Sequence, residues 1–227
     1  MTTVLPAVEA AARAAIAARV EARFRASGAL RDGHFLLKSG RHGTSYVEKF
    51  QVLQYPDAVS ELCAFLAGRA RAADGRALVD LVVGPTTGGV ILAFETARQL
   101  GVRGFFAEEV KDPDGSARRE FRRGFRIEAG QRVLLVDDIL TTGGSLLAML
   151  PPLEAAGADL LLAAVLVDRS GGTASIASPT SGRSYPVDAL WTLDLPTYVA
   201  GAPTCPACAA GLPLETPGSS GAAPAAG

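Results

Sequence analysis

In the segment VLLVDDILTTGGS, residues 133–145, four apolar residues lead into two adjacent acids, Asp137 and Asp138, and a turn rich in hydroxyls and glycine follows. Thr141, Thr142 and Ser145 offer hydroxyls, and Gly143 and Gly144 let backbone N–H groups turn inward with no Cβ in the way. Backed by a helix N-terminus, these groups form a cradle for a phosphate. Carboxylates at the carboxyl end of a strand stand where open α/β sheets bind ligands, and they accept hydrogen bonds from sugar hydroxyls. A sugar phosphate satisfies both halves. The spacing differs from GxxxxGK(S/T) and from GxGxxG, which points away from nucleoside triphosphates and dinucleotides.

Two strand–turn–helix units would position such a site. ALVDLVV leads through GPTTGG, residues 84–89, into VILAFETARQL, and RVLLVDD leads through ILTTGG into SLLAML. Apolar strands alternating with helices predict a mostly parallel, twisted α/β sheet covered on both faces. Ahead of them, Ile16, Val20 and Phe24 recur every four positions in an amphipathic helix from about Val8 to Ala26, with Gly28 as its stop. Gly33 to Tyr55 reads as small strands and turns outside the main sheet, and Asp57 is expected to cap a second helix carrying Val59, Leu62, Cys63 and Leu66. FFAEE reads as a strand, Lys111 to Glu120 as a mobile polar stretch, and Leu160 to Val167 and Ala189 to Leu193 as further strands. Pro151 and Pro152 are expected to break the helix begun at Ser145, because an interior proline costs about 3 kcal/mol. From Pro196 the chain is rich in Pro, Gly, Ala and Ser, and disorder is expected from about Pro217.

At 227 residues, 48% of them hydrophobic, the chain can bury one substantial core. Its 22 basic and 23 acidic residues sum to a net charge of −1, so no global field draws it to nucleic acid or anionic lipid. The apolar run Leu160 to Val167 is far shorter than the roughly 20 residues of a bilayer-spanning helix, and the charged, Ala-rich N-terminus lacks an export pattern. Cys63, Cys205 and Cys208 make no even-numbered disulfide framework, in keeping with a reducing, cytoplasmic setting. One CxxC pair cannot complete a four-ligand zinc site, so a metal there would need a second chain's pair and a structural turn is expected instead.

The 133–145 segment resembles the phosphoribosyl pyrophosphate signature of type I phosphoribosyltransferases. The resemblance implies that Asp137 and Asp138 hold the ribose hydroxyls and that Ile139, Leu140, Thr141, Thr142, Gly143, Gly144 and Ser145 hold the 5-phosphate. GPTTGG resembles the family's pyrophosphate loop, with Thr86, Thr87, Gly88 and Gly89 as its contacts; Thr87 and Gly88 stand where many orotate enzymes carry a lysine. HFLLKSGRHGTSYVEK resembles the N-terminal hood of the orotate phosphoribosyltransferases, in which Lys38 would reach both substrates and Tyr46 would pack on the base. In VLVDRSGG, Arg169 matches the arginine that grips the orotate carboxylate; Asp168–Arg169 as a surface ion pair is the plainer alternative. Thr141 is also expected near orotate.

AEEVKDPDGSARREFRRG resembles the flexible catalytic loop, and Lys111 matches its catalytic lysine. The family's preceding Arg-Lys pair and following histidine are missing; Arg118, Arg119, Arg122 and Arg123, in a cluster that runs on to Arg126, are candidates to replace that charge, and a solvated hairpin face is the plainer alternative. His34 and His42, the chain's two histidines, lie in the hood with no assigned role. CPACAAGLPLETPGS resembles the tail of a bacterial subgroup of these enzymes. The resemblance implies a helix and hood over residues 1–56, a catalytic core over 57–195 and a partly disordered tail over 196–227. It further implies Mg2+ held mainly through the donor, catalysis without a covalent nucleophile, and a homodimer that shares its catalytic loop. A transferase for another base and a non-catalytic sensor of the same donor remain open as alternative readings.

Overall fold

The computed structural model describes Leu5, residues 8–37 and residues 39–217. Its centre is a seven-stranded sheet ordered β5-β4-β3-β6-β7-β9-β8, built from β3 (Leu81–Pro85), β4 (Arg103–Lys111), β5 (Ala117–Glu120), β6 (Arg132–Leu140), β7 (Asp159–Asp168), β8 (Ser175–Ala177) and β9 (Ser184–Thr192). The five inner strands are parallel, and β5 and β8 join the edges antiparallel.

Successive side chains on a strand point to opposite faces, and here the faces carry separate cores. Val82, Leu134, Val136, Leu162 and Leu166 pack under α1 (Ala10–Ala26), α3 (Pro56–Gly68) and α4 (Gly88–Leu100). Leu81, Val83, Val133, Leu135 and Val165 pack under α5 (Gly144–Ala155). Phe24 of α1 meets Trp191 edge-on, ring centroids 5.9 Å apart.

A second, three-stranded antiparallel sheet forms the hood. Its members are β1 (Leu30–Leu36), β2 (His42–Val47) and β10 (Thr197–Tyr198), in the order β1-β2-β10, so the outer strand comes from the far end of the chain. Short helix α2 (Phe50–Leu53) leads back to the main sheet, and α6 (Pro206–Ala209) follows β10. Glu215 N–H then donates to the His34 carbonyl at 2.8 Å, and Leu36 N–H donates to the Glu215 carbonyl at 2.8 Å, closing the tail against β1.

Two expectations are corrected. Helix α5 runs unbroken through Pro151 and Pro152. Both prolines, and the Leu147 and Ala148 carbonyl-bearing residues left without N–H donors, lie on its partly exposed side, whereas Leu146, Met149, Leu150 and Leu153 are buried. Burying those four side chains contributes roughly 2 kcal/mol each, which offsets a cost of about 3 kcal/mol per proline. Helix α3 starts from Tyr55 as N-cap with Pro56 in its first turn; Asp57 lies inside that turn and pairs with Arg23 at 3.3 Å. The polar stretch after Lys111 is a hairpin, in which β4 pairs with β5 from Glu108↔Glu120 to Lys111↔Ala117. The residues expected to be disordered beyond Pro217 lie outside the described part of the chain.

Candidate active site

Strand β6 carries the acid pair out of the core. Both carboxylates are buried, Asp137 at 5% and Asp138 at 2% exposure. Strand alternation sends them to different neighbours: Asp137 turns toward Ser145 on the α5 side, and Asp138 toward the hood and α4. Each oxygen array is braced by the chain itself. Asp137 Oδ1 accepts the Asp138 N–H at 2.9 Å, and Asp138 Oδ1 accepts the Ile139 N–H at 2.7 Å. Lys49 Nζ lies 2.8 Å from both Asp138 oxygens, with hydrogen-bond geometry toward Oδ1.

Burial, and after it the neighbouring charge of Asp138, pushes the Asp137 carboxyl up to about 6, against the pull of the Ser145 hydrogen bond and Lys49. An acid whose folded pKa exceeds its unfolded value costs stability when ionised, above about pH 6, and the cost disappears as pH falls toward 4. Asp137→Asn is therefore expected to melt above the parent at pH 7.5, by about 2–4 °C per kcal/mol at this chain length. The gap should close near pH 4; calorimetric melting of both proteins across that range is the check, and a variant that melts below the parent at neutral pH contradicts the strain.

Two turns meet at this end of the sheet because β3 and β6 are neighbours, paired Val83↔Leu135. After β6, Thr141 and Thr142 are exposed and Gly143 takes a left-handed φ of +79° as N-cap of α5. No side chain caps that helix, so its first-turn N–H groups are open to a ligand. After β3 come Thr86 and Thr87, joined by a cis peptide bond, with Thr87 as N-cap of α4. A Cβ on Gly88 would overlap Asp138 Oδ2, so the two turns approach as closely as only glycine allows. Gly89 is likewise buried against the backbone of Gly84. Arg119, from the hairpin, donates through Nη1 to Thr86 Oγ1 at 2.7 Å.

The third element is a pocket between hood and sheet, lined by Leu37, Gly43, Ser45, Tyr46, Arg169 and Thr197 among others. Arg169 N–H donates to the Leu140 carbonyl at 2.7 Å, which ties the end of β7 to the end of β6. Asp168 does not pair with Arg169. Its carboxylate accepts the N–H groups of Ser170, Gly172 and Thr173, so the surface ion pair is excluded. Arg169 Nε is buried with no hydrogen-bond partner among the described residues, and burial pulls the guanidinium below its ordinary range. Burial also raises the Tyr46 hydroxyl. Lys38 lies outside the described residues.

Lys111 is not gathered with these groups. It is exposed at the end of β4 and makes no ion pair among the described residues. Among the hairpin arginines, Arg118 pairs with Asp112 and Glu120, and Arg123 with Glu108. Arg119, only 11% exposed, turns inward to the GPTTGG turn. Lys49 and Arg119 are the cations that sequence reasoning did not single out. Lys49 sat within the hood segment, and Arg119 was one of several similar arginines.

Residues 52–193 match the phosphoribosyl transferase domain family. An orotate phosphoribosyltransferase of Pelotomaculum thermopropionicum is 42% identical over 201 residues, covering 88% of this chain and 96% of that one. One from Caldicellulosiruptor saccharolyticus is 39% identical over 196 residues, covering 86% and 93%. The crystal structure of orotate phosphoribosyltransferase from Aeropyrum pernix superposes with a TM-score of 0.57 at 25% identity, over 77% of this chain and 93% of that one. An adenine phosphoribosyltransferase of Saccharomyces cerevisiae reaches 0.58 at 22% identity, over 78% and 99%, so the fold alone does not select the base. Strand-end acids, two facing turns and sequence identity near 40% along most of its length together make this chain a member of the phosphoribosyltransferase family, within its orotate phosphoribosyltransferases.

Proposed function

We propose that the chain transfers the 5-phosphoribosyl group of phosphoribosyl pyrophosphate to a ring nitrogen of orotate, yielding orotidine 5'-phosphate and pyrophosphate for pyrimidine nucleotide synthesis. The observation that carries the choice of base is Arg169, whose buried Nε has no hydrogen-bond partner among the described residues, in a pocket walled by Tyr46. A base without a carboxylate would leave the half-buried guanidinium without a counter-charge, which is unfavourable. The planar guanidinium matches a carboxylate bidentately.

On this reading Asp137 and Asp138 accept hydrogen bonds from the ribose hydroxyls, and Lys49 serves as counter-ion to Asp138 until the sugar arrives. The turn from Ile139 and Leu140 through Thr141, Thr142, Gly143, Gly144 and Ser145 receives the 5-phosphate, with Thr141 also near the base. Thr86, Thr87, Gly88 and Gly89 face the pyrophosphate, and Lys38 reaches toward both substrates. Arg119 supplies charge where the turn has no lysine. Replacing it with alanine is expected to raise KM for the donor about tenfold, the worth of one charge-assisted hydrogen bond, with KM for orotate little changed. Steady-state kinetics with each substrate varied in turn decides this, and equal shifts in both constants argue against a pyrophosphate-side role.

The donor set suits magnesium delivered with the pyrophosphate better than a protein cage: two adjacent carboxylates, with Asp138 Oδ2 making no hydrogen bond. When bound, magnesium supplies positive charge to the departing pyrophosphate. The protein's own part is to hold the ribose, orient the acceptor nitrogen toward C1 and exclude water, so the C1–O bond breaks as the C1–N bond forms without a covalent enzyme intermediate. The hood of residues 1–56, completed by the 196–227 tail, would cover the 57–195 core. No described helix is long and apolar enough to cross a membrane, and a cytoplasmic setting fits the substrates.

Exposed Ile91 and Phe94 line, with Pro56, Val59 and Phe106, an apolar groove at α3 and α4, a surface suited to a second copy. Sedimentation at micromolar concentration should accordingly find a homodimer, and a single-chain species would remove it. Orotate consumption with magnesium and the donor tests the activity, with uracil, hypoxanthine and adenine in parallel. Turnover of another base in preference to orotate, or donor binding with no turnover, overturns the proposal.

A further inference from the structure

The hood holds a second cluster of reactive side chains that shares no residue with the acid pair, the phosphate turns or Arg169. His34 of β1, His42 of β2, and Cys205 and Cys208 flanking the start of α6 bring four potential ligand atoms within 4.8 Å of one another. Three of these residues are buried, His34 at 4%, His42 at 6% and Cys205 at 0% exposure, and Cys208 is half-buried. We propose that this is a structural zinc site of the Cys2His2 type, complete within one chain. Where the sequence offered the CxxC pair only a second chain's cysteines as partners, the fold places beside it two histidines, some 170 residues earlier in the sequence and adjacent in space.

The distances have the right scale. Tetrahedral zinc with Zn–N near 2.0–2.1 Å and Zn–S near 2.3 Å sets its nitrogen and sulfur ligands about 3.5 Å apart. Here Cys208 Sγ is 3.3 Å from His42 Nδ1 and 3.5 Å from His34 Nε2, and Cys205 Sγ is 3.7 Å from His34 Nε2. The His34–His42 nitrogens, at 2.7 Å, would separate by about 0.6 Å to reach a tetrahedral edge. The surroundings also orient a ligand. His34 Nδ1 lies 2.8 Å from the Leu212 carbonyl; donating there fixes the tautomer that turns the Nε2 lone pair into the cluster, the outer-shell support that metal-bound histidines commonly have. Both cysteines are free thiols rather than a disulfide. Zinc binding would displace a proton from each thiol, leaving two thiolates whose charge the ion neutralises.

The position in the fold says what the ion does. β10 pairs with β2 at Tyr198↔His42 and Thr197↔Gly43. Thr197 and Gly43 line the Arg169 pocket. The ion would thus rivet the tail to the hood one residue from the wall of the base pocket. The site stands on its four ligands alone; only its effect on the base pocket rests on the proposed activity.

The test is the metal content of the untagged full chain, purified with its thiols reduced and without chelator, by inductively coupled plasma mass spectrometry. About one zinc per chain is expected. Cobalt added to the chelator-stripped protein should give the intense visible bands of tetrahedral thiolate coordination, saturating at one equivalent. Stripping should lower the melting temperature by about 10 °C, the shift for a ligand present at roughly 1,000 times its Kd at this chain length, and added zinc should restore it. A Cys205→Ser, Cys208→Ser double variant should retain less than a tenth of the metal. Less than 0.1 zinc per chain after incubation with zinc, or a Cys205–Cys208 disulfide in the native protein, overturns the site. Half an ion per chain overturns its single-chain composition, and stoichiometric zinc whose removal leaves the melting temperature unmoved overturns the fastening role.

Discussion

Replacing Lys111 with alanine is expected to lower turnover by two to three orders of magnitude while leaving the melting temperature unchanged. The lysine is exposed at the root of the β4–β5 hairpin and is engaged by no carboxylate of the described chain, so its removal takes nothing from the fold. A free cation on a hairpin is suited to close over a departing pyrophosphate, and one charge or donor aimed at developing negative charge in a dry site is worth about 2.7–4 kcal/mol. On the proposed function the contact would form only on hairpin closure, so the loss should fall on kcat, with KM for either substrate changing little. Steady-state kinetics and a thermal melt of the same preparation check it; turnover within threefold of the parent removes Lys111 from the reaction.

The second large effect is expected at Arg169. Arg169→Leu should reduce kcat/KM for orotate by about two to four orders of magnitude, since a bidentate pair combines two hydrogen bonds of roughly 1.5–3 kcal/mol each. The same change should leave any slow reaction with uracil intact, because uracil has no carboxylate for the guanidinium to hold. Arg169→Lys should recover only part of the loss, as an ammonium offers a point charge where the guanidinium offers a planar fork. Comparing the two bases on the three proteins separates recognition from packing: equal losses on orotate and uracil mean that Arg169 merely props the pocket.

The parts of the site legible in the sequence are those in which local order and function coincide. Asp137 to Ser145 could be read because strand, acids, turn and helix follow one another within thirteen residues, and each residue type states its own task. Tyr46 and Arg169 were reachable only through resemblance, since no spacing between residues so far apart announces a shared pocket. Lys49 stayed hidden, and Arg119 could not be told from its neighbouring arginines, for the same reason: they face Asp138 and Thr86 across long chain separations. The proline pair in α5 misled because propensity is local, while the buried stripe Leu146, Met149, Leu150 and Leu153 belongs to the tertiary core. The histidines and tail cysteines were each noticed separately, and only the folded hood makes them neighbours.

The manner in which the last described residues close the hood bears on how the protein is made. Arg41 reaches Thr197, 156 positions further along the chain, through both its hydroxyl and its carbonyl, and His34 waits for a partner 178 positions away. During synthesis the βα core can assemble while the hood is still a two-stranded flap with a bare outer edge, and such ribbons are marginal alone. A chain interrupted before Thr197 would keep the turns after β3 and β6 yet lack one wall of the chamber beside Arg169. Synthesis from N- to C-terminus thus adds this wall only after the whole βα core has emerged, and, on the proposed function, copies interrupted before it would sequester the donor without consuming it.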